Sequence, residues 1–126
     1  MAGFFGYNIS GTREMKALAK EMSATERKSM LKAVDKFDTQ EKVESQKRVP
    51  VDTGELLESA FTVPAHFEGD QVIGGVGYAA DHALVVHEDL EAHHTVGQAK
   101  YLESVINESR PYFPQRVFES MKEDIR

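Results

Sequence analysis

The densest chemistry-bearing stretch of this 126-residue chain holds His82, His87, Glu88, Asp89, Glu91, His93 and His94. Imidazoles beside carboxylates are the donor set for zinc or a similar divalent ion. The spacing argues against a metal. A zinc-protease helix needs its second histidine four residues after the first, on the same face. Here His93 follows His87 by six. The segment from Glu88 to Gly97 therefore reads as a polar loop which, with His87 just before it, offers His87, Glu88, Asp89, Leu90, His93 and His94 as interface residues, with no metal and no cofactor. Two carboxylate pairs, Asp52 with Glu55 and Glu88 with Asp89, are the other candidates. Acid–base catalysis needs surroundings that drive the two pKa values apart. No such surroundings are visible, and Asp52 has a ready role as a helix cap. Ser59 lacks a nucleophile-elbow motif. The absence of cysteine removes disulfides, thiolate metal sites and cysteine nucleophiles. The chain reads as a non-enzyme.

Charge sorts the chain into three parts. The formal net charge is −6. Residues 1–48 carry +3, residues 49–99 carry −9 with no lysine or arginine, and residues 100–126 balance. A middle without cations cannot hold phosphates by ion pairing, which argues against sequence-specific DNA binding there. Lys28, Lys32 and Lys36 form a stripe, but Glu26, Asp35 and Asp38 interleave with it, as on a solvated helix face. Apolar residues make up 40% and charged residues 29%, which fits one soluble globular domain over 1–126. No apolar run approaches the ~20 residues that span a bilayer, so no membrane partner is expected. The start lacks a basic region followed by a long apolar one, so no secretory signal is expected.

Periodicity places these residues on elements. Phe4 to Ile9 predicts a short edge strand, and Met15, Leu18, Ala19 and Met22 predict a helix over 13–22. Ser23 and Glu26 have capping-box spacing, and a long helix is expected from about 24 to 48. Met30, Val34 and Phe37 mark its buried face, with Leu31 and Ala33 beside them. Its second half has Val43 as its main apolar residue and is expected to be half-exposed, or covered by a neighbouring subunit. Pro50 should stop that helix. Asp52 and Thr53 should cap a single turn over 54–59, with Gly54 allowing a tight approach and Leu56 or Leu57 plugging the core. A hairpin follows: 60–67, a turn at Glu68-Gly69-Asp70, then 71–78. Glycines 74, 75 and 77 suggest a bulge or a close backbone approach. Residues 79–87 read as a short helix, 99–109 as another, and Val117, Phe118, Met121 and Ile125 give the last helix its apolar face. The class is α+β: a long N-terminal helix, a small antiparallel sheet in the middle and C-terminal helices.

Three runs, taken together, resemble a known family. They are Arg48-Val49-Pro50-Val51-Asp52-Thr53-Gly54-Glu55-Leu56-Leu57-Glu58-Ser59, then Tyr78-Ala79 through Glu88, then Gly97-Gln98-Ala99-Lys100-Tyr101-Leu102-Glu103. Their order and spacing are similar to those of the tailed-phage head–tail joining family. These neck or tail-completion proteins are typified by the gene-ten tail component of a lambdoid phage. Many members follow the Tyr-Ala run with an aromatic-Gly-Thr turn, where this chain has His87-Glu88-Asp89-Leu90.

The resemblance implies a structural virion protein, made in the host bacterial cytoplasm, that forms a homo-oligomeric ring at the head–tail junction. A hexamer is favoured over a dodecamer. Its partners would be a head-side adaptor or stopper and a tail terminator or tail-tube protein, with DNA passing through the lumen. An acidic lumen would repel DNA and let it slide. Terminal aromatics (Phe4, Phe5, Tyr7, Tyr112, Phe113) are expected to order against neighbours. The alternative is a small cytoplasmic protein-binding or adaptor module.

Overall fold

A computed structural model describes residues 5–50, 54–79 and 100–125. The architecture is α+β, a three-stranded antiparallel sheet with the long helix across one face. The elements are β1 (Phe5–Ser10), α1 (Arg13–Ala19), α2 (Ala24–Gln46), α3 (Glu55–Glu58), β2 (Ala60–Glu68), β3 (Gln71–Tyr78), α4 (Tyr101–Ser109), a 3-10 turn (Arg110–Tyr112) and α5 (Phe113–Ile125). The strand order is β1-β3-β2. β1 is thus an edge strand, as expected. No described helix is long and apolar enough to cross a membrane.

α2 starts where the sequence marks it. The Ser23 hydroxyl accepts from the Glu26 amide, and the Glu26 carboxylate accepts from the Ser23 amide. These bonds satisfy two donors that a helix start otherwise leaves free, and they hold the Glu26 carboxyl below its ordinary pKa. Thr12 caps α1 in the same way, accepting from the Met15 amide at 3.2 Å. α1 is shorter than expected. It ends at Ala19, and Glu21 and Met22 close a tight turn on Leu18 and Ala19. α2 ends at Gln46, before Pro50 can act. The chain turns at Lys47 and Arg48, and Val49 drops into the core.

The inner face of the sheet presents Ile9, Val72, Val76 and Tyr78 to Met30, Ala33, Val34 and Phe37 of α2. α4 and α5 close the far side with Tyr101, Leu102, Ile106, Phe113, Val117 and Met121. Phe113 is a correction to the expectation for terminal aromatics. It is buried, edge-on to Phe37 at 4.7 Å between ring centroids, while its neighbour Tyr112 is exposed.

The bulge lies opposite the glycines, not at them. The β2–β3 register slips between Val63 and His66, around Pro64. Pro has no N–H for a ladder and sits naturally on an edge strand. The slip frees the Ala65 amide, which donates to Asp35 of α2 at 2.7 Å. One carboxylate thereby pins the edge strand to the long helix. The hairpin turns at Gly69 with φ 64°, and Arg27 ties that turn to α2 through the Gly69 carbonyl and Asp70.

Candidate functional site

The described motif residues converge at the C-terminal end of α2. The Tyr78 hydroxyl, at the end of β3, shares a 2.6 Å hydrogen bond with the Ser45 hydroxyl of α2. The Tyr78 ring stands edge-on to Tyr101 of α4, 4.9 Å between centroids. Both rings are fully buried, and burial pushes the Tyr78 hydroxyl up to about 12 and the Tyr101 hydroxyl higher still. Leu56 and Leu102 fill the space beside them. The Ala79 amide donates to both the carbonyl and the hydroxyl of Ser59, which locks the strand end to the α3 turn. Gln46 reaches the Leu57 carbonyl at 3.1 Å. Arg48 clamps Glu108 with both guanidinium nitrogens and also donates to Ser104. That pairing raises the Arg48 pKa and lowers that of Glu108.

Gly54 is needed for a different reason from the one expected. It occupies the N-cap position of α3 with φ 82°, the left-handed region that glycine enters without cost. A Cβ there would touch nothing within 4 Å, so the constraint is conformational and not a close approach. No side chain caps α3 among the described residues. Pro50 is buried ahead of this turn. Val51, Asp52 and Thr53 lie outside the described residues, as do Gly97, the expected 79–87 helix beyond Ala79, and the loop with His87, Glu88, Asp89, Leu90, His93 and His94. Lys100 takes the N-cap position of α4 in a left-handed conformation, φ 53°, and its ammonium pairs with Glu103 at 3.1 Å.

The second half of α2 departs most from expectation. Val43, its main apolar residue, is 45% exposed, in keeping with the half-exposure expected there. The inward positions carry Asp38, Glu41 and Ser45 instead, all buried. Each meets a different partner. Ser45 meets Tyr78, and Glu41 accepts from the Ser109 hydroxyl of α4. Asp38 is 0% exposed and neither carboxylate oxygen has a hydrogen-bond partner. It lies against β3 at Gly74, where any Cβ would collide with its carboxylate. The Gly75 amide draws its pKa down without reaching hydrogen-bond geometry, and Asp35 and Glu41 push it up. Burial dominates and sets the Asp38 carboxyl at about 8. Burial likewise raises Glu41 to about 7, against the pull of Arg116.

These polar residues were missed for a legible reason. Positions 30, 34, 38, 41 and 45 continue one helical face, so the stripe was present but its residues changed from apolar to polar. The glycine opposite Asp38 was the available signal.

Alongside Glu41, α2, α4 and α5 leave an open groove of about 750 Å³. Val43 and the half-exposed Tyr112 stand at its lips, and Glu119 and Glu123 line its α5 wall. No group of three or more potential metal ligands occurs among the described residues. No family model, curated protein or solved structure matches the chain.

Proposed function

We propose that the chain is a structural subunit of the tailed-phage head–tail junction. In this reading it is a neck or tail-completion protein that forms a ring, six copies favoured over twelve, and leaves a channel for DNA between head and tail. It works by packing and not by catalysis. One observation carries the reading: of the described motif residues only Arg48, committed to Glu108, lines the groove between α2, α4 and α5, and the other motif side chains act as internal ties. Tyr78 and Tyr101 join sheet to helix, Ser59 binds the strand end, and Leu56 and Leu102 fill the core. A motif that serves a substrate would be expected to open onto solvent. A motif that sets the angle between a long helix and a hairpin fits a part built to meet copies of itself.

The test is the assembly state of the purified chain, by sedimentation together with negative-stain imaging. Annular particles, or binding confined to isolated phage heads or tails, are the expected result. A monomer at all concentrations that binds a small molecule tightly would overturn the proposal.

A further inference from the structure

The groove beside Glu41 has the chemistry of a socket for a cation-bearing surface. Its floor is the carboxyl group of Glu41, a residue only 3% exposed. One Glu41 oxygen accepts from Ser109, and the other has no hydrogen-bond partner among the described residues. Glu119 and Glu123, four apart on α5, add two carboxylates that form no ion pair among the described residues. Three cations also line the groove. Arg48 is committed to Glu108, Arg116 lies over the Tyr112 ring at 5.8 Å, and Lys36 is at the margin. Even with Glu41 protonated, the four carboxylates of Glu44, Glu108, Glu119 and Glu123 against three cations leave the groove acidic. Its lips, Val43 and Tyr112, are two of the four exposed large apolar residues among the described ones.

The complementary surface is on the same chain. Arg13, Lys16 and Lys20 lie three and four apart along α1 and its cap, so they share one face. All three are exposed and make no ion pair among the described residues. Ala17 lies on the same face and leaves it flat, while Glu14 and Glu21 project from the neighbouring one.

One chain cannot join its own two surfaces. Arg27, early in α2, holds the end of α1 through the Ala19 carbonyl at 2.8 Å. Glu41 lies fourteen residues further along the same rigid helix, about 20 Å away at ~1.5 Å per residue. We infer that the groove receives the basic face of α1 from a second copy of this chain, in a head-to-tail contact. This rests on the ring reading and gives it an interface. Two different surfaces on one subunit generate a heterologous contact, which closes into a ring when its rotation allows. Exposed ion pairs contribute little affinity singly. Here they set register and steer approach, while Val43 and Tyr112 supply the buried area.

The test uses charge reversal in the full chain. K16E/K20E reverses the α1 face, and E119K/E123K reverses the groove wall. Sedimentation velocity should show each variant alone associating at least about a hundredfold more weakly than the unaltered chain, through like-charge contacts. Mixing the two variants should restore assembly, because each then meets its complement; this also shows that both are folded. If both variants assemble like the unaltered chain, or if mixing fails to restore assembly, the socket is refuted while the ring stands. If the unaltered chain stays monomeric up to millimolar concentration, the ring and the socket fall together.

Discussion

The two halves of α2 bury comparable faces by different chemistry. From Met30 to Phe37 the inward residues are Met, Ala, Val and Phe, and they meet the sheet and α5 as any amphipathic helix would. From Asp38 to Ser45 they are two acids and a hydroxyl. The first half is held by apolar area. The second is held by specific polar partners, and one of its groups has none. The difference shows that a helical face can stay buried after its apolar signal stops, provided the opposing elements make room. Gly74 makes that room for Asp38.

The apolar half should give the largest loss. Phe37 packs edge-on against Phe113, and both are buried. Phe37→Ala removes a ring from a closed core and should cost roughly 3–5 kcal/mol. Urea denaturation should show the loss at every pH, because no titrating group is involved. A loss below about 1 kcal/mol would mean that this half is not the anchor described here.

The polar half should respond to pH where the apolar half does not. The Asp38 carboxyl is raised from 3.8 to about 8, and Glu41 from 4.5 to about 7. In an unfolded chain these groups lose their protons near pH 4, whereas the fold keeps them protonated. The fold therefore binds more protons between those values, and its stability falls as pH rises from about 4 to about 8. On the scale of pKa shifts the Asp38 contribution lost by pH 8 is roughly 5 kcal/mol. Asp38→Asn removes the ionisation but leaves a polar amide without partners, which costs some of the gain. Its net effect at pH 8 should be a stabilisation of roughly 1–3 kcal/mol, with a flatter pH profile. Stability measured from pH 4 to 8 checks both. An unchanged slope in the variant would assign the pH dependence elsewhere.

Legibility in the sequence follows the same division. The capping box, the hairpin turn and the apolar stripe were readable because each is a local pattern with a local cause. The α+β class followed from them. Asp38, Glu41 and Ser45 were not readable as buried, since what buries them comes from far along the chain: Gly74, Tyr78 and Ser109. The conformational need for Gly54 was visible only as a glycine, and its cause emerged with the backbone angle. Val43 was readable as exposed, since a lone apolar residue in a polar stretch carries no periodicity that would bury it.

A smaller effect is expected at the Ser45–Tyr78 bond. Ser45→Ala and Tyr78→Phe should each cost about 1 kcal/mol, the usual net value of a buried hydrogen bond. The double variant should cost less than the sum of the two, since the second change removes a group already left without its partner. Chemical denaturation of all four chains gives the coupling. Full additivity would show that the two hydroxyls do not depend on each other.

Val43→Ser should change least in the isolated subunit. The side chain is exposed, and surface substitutions of this kind usually stay within about 0.5 kcal/mol. Placed at the lip of the groove, however, it should weaken association of the subunits while leaving the unfolding midpoint of the monomer in place. A variant that loses fold stability and keeps its assembly would reverse that assignment. It would give Val43 a share in the fold of the subunit itself and make the two halves of α2 alike after all.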